Sequence, residues 1–166
     1  TVSIDTSGNI GNSVIDSLEF DTSNGLQPTI INVSGSIFAI VYGGPGNDGW
    51  LKTVSIDTSG NIGNSVIDSY EWDTSNGIQP DIVHISGNVF AITYQGPSAD
   101  GWIKTITITP NGIITKSTID SLEFDAADGI FPHPVYVSGT IYALVYQGTG
   151  NDGWLKTVSI DTSGNI

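Results

Sequence analysis

The sequence predicts an all-β protein, and three observations predict it. Its apolar residues fall in runs of 5–9 residues rich in Val, Ile, Thr and aromatics. Turn tracts such as TSGNIG, TSNG and PGNDG separate those runs. The pattern recurs every 52 residues, starting at Thr1, Thr53, Thr105 and Thr157, and no segment has helical periodicity.

Each unit reads as four strands. GWLKTVSID (49–57) runs across the boundary into the next unit and is rich in β-branched residues. NSVIDSLEFD (12–21) is a second strand, with carboxylates at Asp16, Glu19 and Asp21. QPTIINVSG (27–35) and SIFAIVYGG (36–44) form a hairpin across Ser34-Gly35, and PGNDG (45–49) turns the chain back. The repeats are 1–52, 53–104 and 105–156, and 157–166 begins a fourth. Residues 1–17 and 53–69 are identical, whereas the third unit has drifted, as in TITITPNGIITK.

Four-stranded units of this length suit a β-propeller, one unit per blade. The alternative is a β-trefoil, which also uses three four-stranded units. A trefoil has no place for the extra TVSID at 157–161, while blades continue in series. The hairpin is apolar on both faces, as an inner blade strand between neighbours would be. NSVIDSLEFD carries the acidic side chains expected of an outer edge strand. Three blades do not close a ring. Two copies would supply six, but their duplicated ends would compete for one slot, which favours a window of a longer array.

The repeated signature S-G-x-[IV]-[FY]-A followed by D-G-W-[LI]-K-T resembles the blade motif of large secreted or surface-attached propeller repeat proteins of archaea and bacteria. The D-G-W step loosely resembles the Asp-box turn of sialidase-like propellers. It departs from that pattern because the aromatic follows Gly49 directly and no Thr-Trp pair closes the motif. The resemblance covers all three units and speaks to fold, not activity.

Composition narrows the function classes. Seventeen carboxylates against four Lys and no Arg give a net charge of -13, which repels nucleic-acid backbones. Without Cys there is no disulfide or thiolate chemistry. No apolar run approaches the roughly 20 residues of a membrane span. The acidic, Thr/Ser/Asn/Gly-rich composition suits an extracellular or cell-surface protein. The lack of an initiator Met suggests a processed or excised piece.

Repeated positions read first as scaffold. Trp50, Trp102 and Trp154 follow the Asp-Gly turn; packing between blades is the favoured role and sugar stacking the functional one. Asp48, Asp100 and Asp152 fit a tight turn better than a calcium site. Lys52, Lys104 and Lys156 suit pairing with a blade carboxylate. The loop holding Asp5, Asn9 and Asp16 is rich in oxygens, but its spacing is not that of an EF-hand, and Thr109 replaces Asp57 in the third unit. No metal or cofactor is expected.

Positions that vary on the constant scaffold are the ligand-binding candidates. Asn32, His84 and Tyr136 are equivalent, as are Thr29, Asp81 and His133. All lie on the inner strand, where a propeller lines its channel or mouth. No catalytic residues are expected: the pair Glu19 and Asp21 recurs in every unit like scaffold, whereas a glycosidase pair is normally unique. The expected function is a structural or interaction module that is not an enzyme. Its partners would be itself, a longer parent chain, surface proteins or glycans. The alternatives are a glycan-binding lectin and a fragment of a propeller glycosidase or lyase.

Overall fold

The structure, a computed structural model, describes residues 1–166. It is all-β, with eleven strands in three separate antiparallel sheets. Sheet I holds β1 (Leu26–Ser34), β2 (Ile37–Gly43), β3 (Gly49–Ser55) and β4 (Asp68–Asp73), in that order. Sheet II repeats it with β5 (Ile78–Ser86), β6 (Val89–Gln95), β7 (Gly101–Thr107) and β8 (Ser121–Asp125). Sheet III has β9 (Ile130–Ser138), β10 (Ile141–Gln147) and β11 (Gly153–Ser159). Every strand pairs only within its own sheet, so no hydrogen-bonded ladder joins successive units as a trefoil barrel would require. No helix is long and apolar enough to cross a membrane.

The sheets are out of phase with the 52-residue windows. Sheet I takes β1 and β2 from the first repeat, β3 from across the boundary and β4 from the second, and sheet II is offset in the same way. The segment 12–21, expected as a strand, is therefore not one: it has no β-partner in the chain. Its counterparts at 68–73 and 121–125 are strands because β3 and β7 offer them an edge. Residues 157–159 likewise finish β11, and 160–166 form the loop after it.

Alternation along each strand gives every sheet two apolar faces, and these stack sheet upon sheet. Ala39, Val41, Leu51 and Trp72 of sheet I pack on Phe90, Ile92, Tyr94 and Ile106 of sheet II. Ala91, Ile103 and Phe124 of sheet II pack on Tyr142, Leu144 and Tyr146 of sheet III. The middle strands β2 and β6 are buried along most of their length, as their two-sided apolar pattern predicts. β10 alternates between buried and exposed residues, because sheet III has a neighbour on one face only.

Polar stitches repeat across the same junctions. The Thr53 hydroxyl donates to Gly112 O at 2.6 Å, and that of Thr105 donates to Gly164 O at 2.6 Å. The Asp68 carboxylate accepts from Ile114 N, and that of Asp120 from Ile166 N. Each satisfies a backbone group that would otherwise be orphaned between sheets.

Candidate functional site

A recurring side-chain network lies where one sheet's last strand meets the next sheet. Asp73 ends β4, and a register shift between Gly49 and Trp50 marks an irregularity in the β3–β4 ladder there. Asp73 reaches into sheet II, accepting from Lys104 Nζ at 2.7 Å and from the Tyr94 hydroxyl at 3.0 Å. Asp125 does the same with Lys156 and Tyr146 of sheet III, and Asp21 with Lys52 and Tyr42 of sheet I. Burial opposes ionisation of Asp21, but bonds from Lys52, Tyr42 and the backbone N–H groups of Ser23 and Asn24 outweigh it and hold its pKa well below the usual range. Asp73 and Asp125 are lowered by the same balance. Burial, and then the adjacent Asp73 charge, push Tyr94 far above an ordinary phenol.

Glu71, two residues before Asp73, has a different partner. It sits against Asp48, and burial followed by that like charge raises its pKa. In this unit the two carboxylates therefore serve different neighbours. The loop carboxylates are also committed: Asp57 accepts from Ser59 N, Asn61 N and Asn61 Nδ2. In the third unit the Thr109 hydroxyl takes over, accepting from Ile113 N.

The three indoles of the D-G-W step pack on glycine. A Cβ at Gly44, Gly96 or Gly148 would run into Trp50, Trp102 or Trp154. Trp50 and Trp102 are half-buried, and their Nε1–H groups have no protein acceptor. Trp154 is 48% exposed. Trp102 also edges a recess of about 310 Å³ with Asp73, Tyr94 and Lys104.

Asn32, His84 and Tyr136 are not brought together. Each bonds the turn of its own hairpin. Asn32 Nδ2 donates to Gly35 O and Ile37 O, His84 Nε2 meets Gly87 O at 2.9 Å, and the Tyr136 hydroxyl accepts from Gly139 N at 3.0 Å. Three different side chains thus perform one local task.

Thr29, Asp81 and His133 do converge. The tripeptides 27–29, 79–81 and 131–133 line one recess of about 280 Å³ at the start of β1, β5 and β9. Thr29 Oγ1 donates to Pro80 O at 3.3 Å, and His133 Nδ1 meets the Asp81 carboxylate. A ladder missed in the sequence runs beside them. Gln27 Oε1 accepts from Gln79 N, and Gln79 Oε1 accepts from Phe131 N. Its signal was available, since Gln-Pro recurs at a spacing of 52. Gln27, Gln79 and Phe131 all hold a left-handed φ, at 50°, 53° and 52°. Non-glycine residues rarely adopt that conformation, and here the side-chain ladder bonds the backbone N–H of Gln79 and of Phe131.

No protein-family model matches this chain, and no curated protein matches it.

Proposed function

We propose that the three sheets are consecutive blades of a β-propeller, and that the chain is a structural or interaction module of an extracellular or cell-surface protein. One observation carries this reading: the sheet-to-sheet junction is built twice over with the same residues at a spacing of 52. Asp73 to Lys104 and Tyr94 in the first junction becomes Asp125 to Lys156 and Tyr146 in the second. The innermost strands β1, β5 and β9 lie side by side through Thr29, Asp81 and His133, as blade strands do around an axis. The repeated polar side chains are spent on holding neighbours together, which suits a scaffold. The acidic, Thr/Ser/Asn/Gly-rich composition suits placement outside the cell.

The second reading is a glycan-binding lectin. It rests on the recess at the inner strands, where Thr29, Asp81 and His133 place three different polar groups in one concavity. A glycan array probed with the labelled chain decides between the two. The structural reading expects no saturable sugar signal. Saturable binding that disappears in Asp81→Ala, with folding retained, would replace it with the lectin.

A further inference from the structure

The geometry points to a second copy of this chain as the partner of its exposed sheet faces, joined head to tail. The inference rests on the blade reading above and adds the identity of the partner. Its first support is a comparison of equivalent positions. Val41 and Leu51 of sheet I are fully buried, and so are Thr93 and Ile103 of sheet II. In sheet III the same positions are Val145, 46% exposed, and Leu155, 66% exposed. The face that covers its neighbour twice within the chain is uncovered the third time.

The opposite end presents the complementary surface. Ile30 of sheet I is 55% exposed, whereas its equivalent Ile82 is 7% exposed. It borders an apolar groove with Leu18, Phe20, Ile40 and Val54. The two internal junctions are therefore templates for a third, made between sheet III of one copy and sheet I of the next.

The strand edges match as well. β11 reads GWLKTVS, identical to β3, yet only β10 pairs with it. The segment 15–21 reads IDSLEFD, identical to 119–125, whose final residues form β8 on the edge of β7. It already rests on sheet I through the Lys52–Asp21 ion pair and the Phe20–Tyr42 ring contact, with no strand partner of its own. Seated against sheet III of another copy, it becomes the missing fourth strand. The main-chain groups of the β11 edge then find partners.

Such a contact is heterologous, so it must close into a ring or propagate. Propeller rings hold about four to eight blades. For these 166 residues taken by themselves, which supply three sheets, six is the only multiple of three in that range, so two copies close it. One adjustment is required. Thr1 Oγ1 now donates to Gly60 O at 2.6 Å, and by the repeat Thr157 of the incoming copy would make that same bond. Residues 1–5 must yield to 157–161 of the other copy, which carry the same sequence.

Sedimentation equilibrium of the full chain tests this. The expected mass is twice 17.4 kDa. Leu155→Glu should give a monomer with unchanged circular dichroism and melting, since Leu155 is exposed within a single chain. Thr1→Val removes the competitor's bond and should tighten association about five-fold, whereas Thr157→Val should weaken it about five-fold. The chain has no Cys, so single cysteines report geometry. A mixture of His133→Cys and Thr29→Cys should form a disulfide between unlike copies, and neither variant should link to itself. A monomer throughout the micromolar range, with sheet II still the most protected from hydrogen exchange, overturns the pairing and leaves the blade reading standing. A dimer in which one variant links to itself overturns the head-to-tail ring and leaves the blade reading, which rests on junctions within the chain, standing. An open ladder of masses overturns closure by two copies.

Discussion

At the scale of single residues, the Lys–Asp–Tyr contacts carry the clearest consequences. Lys104 and Asp73 are 18% and 11% exposed, so removing one partner leaves the other mostly buried without its counter-charge. Asp73→Ala should lower unfolding free energy by about 3 kcal/mol, read from urea denaturation. The equivalent Lys156 is 36% exposed, so solvent screens its pair, and Asp125→Ala should cost only about 1 kcal/mol. Equal losses would mean that burial does not set the strength of these contacts. The phenols give a spectroscopic check. Burial, and then the bond to Asp21, push Tyr42 far above the usual phenol range, and Tyr94 is raised likewise by burial and by Asp73. Absorbance near pH 11 should show these rings still protonated in the folded protein, and ionised once it is denatured.

At the scale of elements, the hairpins and the glycine contacts between strands and turns are separable. Asn32, His84 and Tyr136 each close the turn after the first strand of a sheet, so their chemistry should be exchangeable. His84→Asn is expected to be near neutral, and His84→Ala to cost about 1 kcal/mol in thermal or urea unfolding. A large loss from His84→Asn would show a role beyond the turn. Gly77 is constrained differently: a Cβ there would lie 2.6 Å from the backbone of Gly49, which has no flexible group to move aside. Gly77→Ala should cost about 3 kcal/mol. Gly87→Ala meets no atom within 4 Å and strains only its left-handed φ of 53°, so about 1 kcal/mol is expected. The strand pattern, the hairpins and the turns were legible because period-two alternation and Gly/Asn/Asp punctuation are local properties. The strand expected at 12–21 failed because a strand needs an edge to pair with, and its pattern cannot report a missing partner.

At the scale of the whole molecule, stability should be graded and pH-dependent. Sheet II has neighbours on both faces, while sheets I and III have a single sheet neighbour each. In a single dissociated chain, hydrogen exchange should therefore be slowest in β6 and β7 and fast in β11. Asp21, Asp73 and Asp125 have folded pKa values below those of the unfolded chain. Their contribution is fully present above the unfolded value of about 3.9 and is lost as pH falls through the depressed folded values. Tyr42 and Tyr94 act at the other extreme. Above about pH 10 the unfolded chain releases phenolic protons that the folded chain keeps, so stability falls as pH rises. A urea-midpoint profile that is flat near neutrality and declines at both ends is expected. A steady rise into alkali would contradict the buried phenols.

Read from the sequence alone, the chain already had its fold class, its 52-residue period, its turns and its candidate polar positions. Composition, alternation and repetition are properties of the chain itself. The pairing of Lys52, Lys104 and Lys156 with carboxylates was also foreseeable, because opposite charges recurred in every unit. Their partners were not: each Lys meets an Asp 31 residues away, two of the three across a sheet junction, and only stacking determines that. Thr29, Asp81 and His133 were separated from Asn32, His84 and Tyr136 by tertiary structure alone. Both sets looked like varying positions on an inner strand. The first three lie where strands of successive sheets draw together, and the other three sit at hairpin tips where each meets its own turn. Strand register and sheet stacking are non-local, so they decide which repeated residues share a site and which only repeat.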